Sequence, residues 1–87
     1  MLRVSVISPE RVLFEGEAQS VVAPAFDGEV GILSQHAPMM TLLGRGVLRL
    51  VGSAGEQRFA VEGGFLQVAD DEVRVVTERA TAADAPR

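Results

Sequence analysis

The sequence predicts an all-β protein, an antiparallel β-sandwich of about ten strands. Valine, whose branched side chain favours strands over helices, is the commonest residue, with thirteen copies. Turn-forming residues recur every few positions, as in Ser8-Pro9, Asp27-Gly28 and Gly63-Gly64. The runs between them alternate apolar and polar side chains, so each strand can bury one face against a second sheet.

This alternation places the strands in order. In the first, apolar side chains alternate with Arg3 and Ser5, and in the fourth Val30 and Ile32 point away from Glu29. The later strands each set two apolar side chains around one intervening residue. The predicted strands cover residues 2–6, 12–14, 19–23, 29–32, 39–43, 48–50, 58–62, 66–68 and 73–77. The predicted core is Leu2, Val4, Val6, Val30, Ile32, Leu48, Leu50, Phe59, Val61, Leu66, Val68, Val73 and Val75.

Five apolar residues fall on the opposite faces of their strands: Leu33, Val47, Val51, Phe65 and Val76. A single exposed valine needs no explanation, and an error in the assigned strand faces could account for several of them. Five together also favour an apolar surface kept for a partner, and the pattern alone leaves both interpretations open.

The sandwich domain is predicted to span residues 1–77, followed by a tail at 78–87. Four alanines in the tail favour a helix, and Thr81 and Asp84 have the spacing of a helix-start capping box. No amphipathic run follows, and Pro86 interrupts the segment. Because so short a helix is unstable alone in water, we expect a frayed, mostly disordered tail.

Composition excludes most catalytic chemistry in this chain of 87 residues, a length that fits one domain. There is no cysteine, one histidine and no lysine, since all eight basic residues are arginine. Disulfides, thiol nucleophiles, multi-histidine metal sites and lysine Schiff bases are therefore excluded. We expect no catalytic residue, no metal and no cofactor.

Charge and hydropathy indicate a soluble, cytoplasmic protein. The net charge is −4 and the arginines are scattered, whereas nucleic-acid binding needs a clustered basic surface. No run approaches the ~18 apolar residues of a membrane span. The N-terminus alternates polar and apolar residues and so lacks the apolar block of a secretory signal.

Short motifs add little when each is taken alone. Gly44-Arg45-Gly46 lacks the full spacing of a phosphate loop and fits a turn, and Gly63-Gly64 fits a bulge or tight bend. The acids at 70–72 fit a solvated hairpin turn better than a calcium site. Asp27 and Glu29 have no nucleophile beside them. His36, in a loop stiffened by Pro38, is by itself most simply a surface hydrogen-bonding group.

Four stretches taken together are far more specific. They are VISPERVLFEGE at 6–17, GEVGILSQHAPMMT at 28–41, GRGVLR at 44–49 and EGGFLQV at 62–68. In order and with correct spacing, they resemble the epsilon subunit of bacterial F-type ATP synthases. The resemblance implies a ten-stranded β-sandwich in the rotor's central stalk, which couples proton-driven rotation of the c ring to the gamma subunit and so to ATP synthesis.

The same resemblance implies the partners and the location of the chain. The partners are the gamma subunit and the ring of c subunits, with no nucleic acid and no ATP bound by this chain. The protein is expected on the cytoplasmic face of the bacterial inner membrane, which it meets only indirectly through the c ring. The family's C-terminal helical hairpin, which inhibits ATP hydrolysis, has no counterpart in these residues. We therefore expect either a naturally short form or a single domain of a longer protein.

Site residues follow from the resemblance by position. The c-ring contact is expected from Gly28, Glu29, Val30, Gly31, Ile32 and Leu33, with Glu29 meeting the polar loop of the ring. Ser8, His36 and Thr41 match positions that face gamma. The expected gamma contact also includes Met39, Val47 and Phe65, the last two because the outward apolar face would bury against gamma. One departure concerns the loop before His36, where the family usually has Pro-Gly and this chain has Ser34-Gln35. That exchange leaves the geometry of the loop open.

Two other functions fit the residue types of this chain less well. A free-standing module that binds sugar or peptide would need a concave site lined by aromatic residues, and the chain has four phenylalanines but no Trp or Tyr. A small hydrolase or metal-dependent enzyme is opposed by the missing residue types. Binding of the purified chain to gamma, without hydrolysis of ATP, would favour the rotor subunit over the binding module and the enzyme.

Overall fold

Ten β-strands form the part of the chain that the computed structural model describes, residues 1–53 and 55–83. All nine predicted strands are confirmed, most of them extended by one to several residues. The strands are β1 (Leu2–Ile7), β2 (Val12–Ala18), β3 (Ser20–Ala25), β4 (Gly28–Leu33), β5 (Met39–Leu42), β6 (Arg45–Gly52), β7 (Gly55–Glu62), β8 (Phe65–Ala69), β9 (Glu72–Val76) and β10 (Arg79–Ala83).

The strands form two five-stranded sheets, which confirms the predicted sandwich. The first sheet has the order β2-β1-β9-β8-β5 and the second the order β10-β7-β6-β3-β4. Every pair of neighbours is antiparallel except β1 and β9, which run parallel in the middle of the first sheet. The edge strands are β2 and β5 in the first sheet and β10 and β4 in the second.

The core lies between the sheets and is built from alternate residues of each strand, as the period of two requires. Twelve of the thirteen predicted core residues are buried, and the exception, Val30, is half-buried because β4 is an edge strand. Ala18, Val21, Ala23 and Leu43 complete the buried apolar set. Each buried valine or leucine contributes about 1.5–3 kcal/mol relative to an exposed position, so the alternation is the main source of stability.

The end of the sandwich differs from the predicted boundary at residue 77. Arg79–Ala83 forms β10, which pairs antiparallel with β7 from Arg79↔Glu62 to Ala83↔Arg58. Alanine favours a helix, but helix propensity is a weak preference that tertiary contacts override. The open edge of β7 offers hydrogen-bond partners that an isolated helical turn does not have. The rest of the predicted tail, residues 84–87, lies outside the described residues.

Thr77 joins the two sheets at one corner of the sandwich. It is 1% exposed, and its backbone N–H donates to the Ile7 carbonyl at 2.9 Å. Its Oγ1 lies 2.9 Å from the carbonyl oxygen of Arg79, 3.0 Å from that of Gly63 and 3.3 Å from that of Glu62. One hydroxyl proton thus faces three carbonyl acceptors where β9 passes into β10.

Thr77→Val is expected to destabilise the domain by about 1–3 kcal/mol, because buried carbonyls lose their donor while the side-chain volume is kept. Urea denaturation of the variant against the parent measures this change. Thr77→Ser, which keeps the hydroxyl, is the control and should retain more of the stability. If the valine variant matched the parent, the hydroxyl would contribute nothing.

Candidate partner-binding surfaces

A row of five apolar side chains crosses the outer face of the first sheet. Cross-strand register brings one residue from each strand into line, from β2 to β5. Directly paired residues point to the same side of a sheet, so these side chains are neighbours. The apolar row is Val12, Ile7, Val76, Phe65 and Leu42.

A β-bulge sets the β2 end of the apolar row. The register between β1 and β2 shifts between Val6 and Ile7, so that Val6 faces Phe14 while Ile7 faces Val12. The extra residue, Leu13, packs against the core. Without the bulge, Val12 would follow Phe14 onto the inner face, so the bulge directs this valine outward.

The row is accessible at its ends and sharply bounded on one side. Val12 and Leu42 are 57% and 62% exposed, and the three central residues are half-buried. Four inter-strand spacings make the row ~19 Å long, on a molecule whose largest dimension is 28 Å. Beyond it lies a shallow polar concavity with both signs of charge, lined in part by Arg3, Glu15, Glu72 and Arg74.

A second surface follows the edge strand β4 and begins next to the apolar row. Phe26, in the turn between β3 and β4, is 67% exposed, and its backbone N–H donates to the Leu42 carbonyl at 3.1 Å. Glu29 is exposed three residues farther on, at the start of β4. The β3–β4 turn therefore links the Leu42 end of the apolar row to the acidic start of β4.

The six residues predicted for the c-ring contact make up β4. Gly28, Glu29, Gly31 and Leu33 are exposed, and Val30 is half-buried. Ile32 is 0% exposed and packs in the core, so its side chain cannot reach a partner while the sandwich is intact. The sequence pattern also predicts Ile32 in the core, so Ile32 is a core residue and not a c-ring contact.

The six residues predicted for the gamma contact do not share one face. Phe65 lies in the apolar row, and Ser8 directly follows Ile7 of that row. Met39 and Thr41 are half-buried on β5, where each pairs with a buried residue of β8, so both face the core side of the sheet and not the side of the apolar row. Val47, which is 41% exposed, lies on β6 in the second sheet, across the thickness of the sandwich from the others.

The five outward apolar residues are likewise divided between the sheets. Phe65 and Val76 belong to the apolar row, whereas Val47, Val51 and Leu33 lie on strands of the second sheet. Sequence reasoning missed Ile7, Val12 and Leu42 as members of the row. The β1–β2 bulge and the parallel β1–β9 pairing bring Val12 and Ile7 into line, and the β5–β8 pairing adds Leu42. None of these features has a local sequence signal.

His36 lies in the loop between β4 and β5. Its backbone N–H donates to the Leu33 carbonyl at 3.2 Å, which closes a tight turn over residues 33–36. The ring Nδ1 lies 2.7 Å from the Ala37 carbonyl oxygen. Because a carbonyl only accepts, Nδ1 is the donor in this contact.

The other sequence motifs occupy ordinary structural positions. Gly44 joins β5 to β6, and Asp70-Asp71 forms the two-residue turn between β8 and β9, as predicted for a hairpin turn. Within residues 1–53 and 55–83, no cluster of three or more His, Asp or Glu side chains is arranged to hold a metal ion. The same residues contain no helix long and apolar enough to cross a membrane.

Comparison with known proteins gives a consistent family match. Residues 1–83 match the model of the ATP synthase delta/epsilon chain β-sandwich domain. The chain is 48% identical over 83 residues to the ATP synthase epsilon chain of Rhodopirellula baltica, a match covering 95% of this chain and 65% of that protein. It is 45% identical over 78 residues to the ATP synthase epsilon chain of Syntrophomonas wolfei, and this match covers 88% of this chain and 57% of that protein. The chain thus spans less than two thirds of the length of these relatives.

Solved structures show the same fold. A chain of the Euglena gracilis mitochondrial ATP synthase OSCP/F1/c-ring structure superposes with a TM-score of 0.86 at 21% identity, covering 93% of this chain and 52% of that one. A chain of the Tetrahymena thermophila mitochondrial ATP synthase central stalk/c-ring structure superposes with a TM-score of 0.74 at 17% identity. This match covers 92% of this chain and 65% of that one.

Proposed function

The chain belongs to the ATP synthase delta/epsilon chain family, and from that premise we propose that it is a non-catalytic rotor subunit in the central stalk of an F-type ATP synthase. It would join the gamma subunit to the ring of c subunits, at the cytoplasmic face of a bacterial inner membrane. The match over residues 1–83, at up to 48% identity to epsilon chains, carries the proposal.

The apolar row supports a gamma contact on the outer face of the first sheet. A partner that stays in place through rotation needs a large interface with an apolar centre. The apolar row provides that centre, with Ser8 beside Ile7. We therefore assign Phe65, Ser8 and His36 to this contact. Val47 is left outside it, as are Met39 and Thr41, which face the core side of β5.

The exposed start of β4 supports the c-ring contact. Glu29 is exposed and can accept charge-assisted hydrogen bonds from basic side chains in the ring loops. Because the β3–β4 turn is hydrogen-bonded to Leu42, one stiff unit would touch both partners. A close-packed core deforms little, so torque from the ring would pass to gamma through the sandwich.

The decisive experiment mixes the purified chain with purified gamma subunit. We expect a stable complex on gel filtration, and no ATP turnover by the chain alone. An interface of this kind should bury upwards of ~1,600 Å² in total. Failure to associate with gamma would contradict the proposal, and turnover by the isolated chain would contradict its non-catalytic part.

Glu29→Arg is expected to weaken binding to the c ring about tenfold at low salt, and less at high salt, where the charges are screened. Binding of the chain–gamma complex to detergent-solubilised c ring, at two salt concentrations, measures this effect. Glu17→Arg makes the same change in net charge at an exposed position on β2 and is the control. Equal losses in the two variants would mean that net charge, and not a contact at Glu29, governs ring binding.

A further inference from the structure

The turn before His36 contains a residue in a conformation that its side chain disfavours. Gln35 has a φ of +67°, and the hydrogen bond from His36 N–H to the Leu33 carbonyl makes it the third residue of a four-residue turn. A positive φ at the third position without one at the second, Ser34, is typical of a type II turn, which prefers proline second and glycine third. Ser34 and Gln35 occupy those positions here, so the sequence itself does little to hold this shape.

A hydrogen bond from a distant part of the chain holds the turn instead. The backbone N–H of Gln35 donates to Oδ1 of Asp71 at 2.6 Å, across 36 residues of sequence. A short bond to a carboxylate is among the stronger hydrogen bonds in proteins. The conformation at Gln35 is therefore secured from outside the loop.

Asp71 is itself firmly placed. It lies in the two-residue turn between β8 and β9, with a φ of +60°, and Asp70 before it has a φ of +51°. Two positive φ values in a two-residue hairpin are the signature of a type I′ turn, for which aspartate is one of the better residues. The Asp71 carbonyl also accepts the N–H of Arg3 at 2.8 Å, so the turn is fixed to β1.

We propose that Asp71 is a positioning residue for the loop that carries His36. Its carboxylate holds the Gln35 turn, and the turn sets where His36 stands against the gamma subunit. The part of this inference that concerns gamma rests on the proposed function. The part that concerns the loop does not.

The test combines amide hydrogen exchange by NMR on the chain with its affinity for purified gamma. Asp71→Gly keeps the positive φ and the hairpin turn but removes the acceptor. Exchange of the Gln35 amide is expected to rise about tenfold or more, the equivalent of one lost hydrogen bond to a charged group. Affinity for gamma should fall severalfold, while β-sheet amides remain protected.

Two further variants separate positioning from a general structural effect. Asp71→Asn keeps an oxygen acceptor and tolerates a positive φ. Its Gln35 amide exchange and its affinity for gamma should therefore both be close to those of the parent. In the pair Gln35→Gly plus Asp71→Gly, glycine accepts the turn unaided, so the affinity for gamma should recover although the hydrogen bond is still missing.

The outcomes distinguish this inference from the proposed function. Parental Gln35 exchange in Asp71→Gly would overturn the positioning role. If the Gln35 amide exchanged faster in Asp71→Gly but the affinity for gamma did not change, Asp71 would hold the loop without affecting binding. If the parent chain does not bind gamma at all, the proposed function fails, while the exchange data still decide whether Asp71 holds the loop.

Discussion

Replacing Gly64 by alanine is expected to destabilise the domain by at least about 4 kcal/mol, enough to unfold much of it at room temperature. A domain of this size has about 4–13 kcal/mol of stability in total. A Cβ at Gly64 would lie 2.0 Å from the Val76 carbonyl oxygen and 2.7 Å from the Thr77 Cα. Both atoms are backbone, so neither can rotate away.

The conformation at Gly64 adds to this cost. Its φ of +100° is one that residues with a Cβ rarely adopt. The Gly64 carbonyl also accepts the N–H of Leu43 at 2.9 Å, so the backbone cannot shift without losing the link to the end of β5. Strain, overlap and hydrogen bonding therefore act against the substitution together.

Gly28→Ala separates the overlap from the strain. Gly28 has a φ of +133°, but its added Cβ would meet nothing within 4 Å. This variant should lose about 1–2 kcal/mol from backbone strain alone. Urea denaturation of the two variants and the parent measures both losses. If Gly64→Ala were as stable as Gly28→Ala, the backbone around Gly64 would be able to move away from the added Cβ at no cost, and the prediction would be wrong.

Leu42→Glu is expected to lower the affinity for gamma about 30-fold or more, the loss typical of a central interface residue. Leu42 ends the apolar row and is 62% exposed, so a carboxylate there stays hydrated in the free chain. In a complex that covers the row, the same charge would be buried without a partner. Isothermal titration of each variant with gamma measures the affinity.

Val47→Glu is the matched control for this prediction. Val47 is 41% exposed, also on a strand, but on the second sheet. Both variants add one negative charge, and both should remain within about 0.5 kcal/mol of the parent's stability. If Val47→Glu weakened binding and Leu42→Glu did not, gamma would dock on the second sheet and our assignment of the apolar row would be wrong.

Local alternation predicted twelve of the sixteen apolar residues that are buried in the described part of the chain. A one-residue slip would reverse every side chain of a strand, so the pattern around Val4 or Val73 fixes which face is buried. The tenth strand could not be predicted in this way. Arg79–Ala83 has no alternation of large apolar residues, and it becomes a strand because the edge of β7 is available to it.

For the candidate surfaces, too, single positions could be predicted from the sequence, whereas contacts between distant segments could not. The resemblance placed Glu29 at a contact position, and the alternation placed Phe65 on an outward face. The structure leaves Glu29 exposed and Phe65 half-buried on the outer face of the first sheet. The apolar row as a whole depends on register across five strands, which no single segment encodes. The hydrogen bond from Gln35 to Asp71 joins two turns 36 residues apart, so neither turn motif reveals it.

The parallel pairing of β1 with β9 has a consequence for biosynthesis. β1 leaves the ribosome well before its partner β9, which ends at Val76, so about seventy further residues must be made before the two can meet. Until then β2 covers only one edge of β1, while the other edge stays open to wrong neighbours. The first sheet therefore completes only after β9 has been made, whereas the β3–β4 and β6–β7 hairpins can form as they emerge.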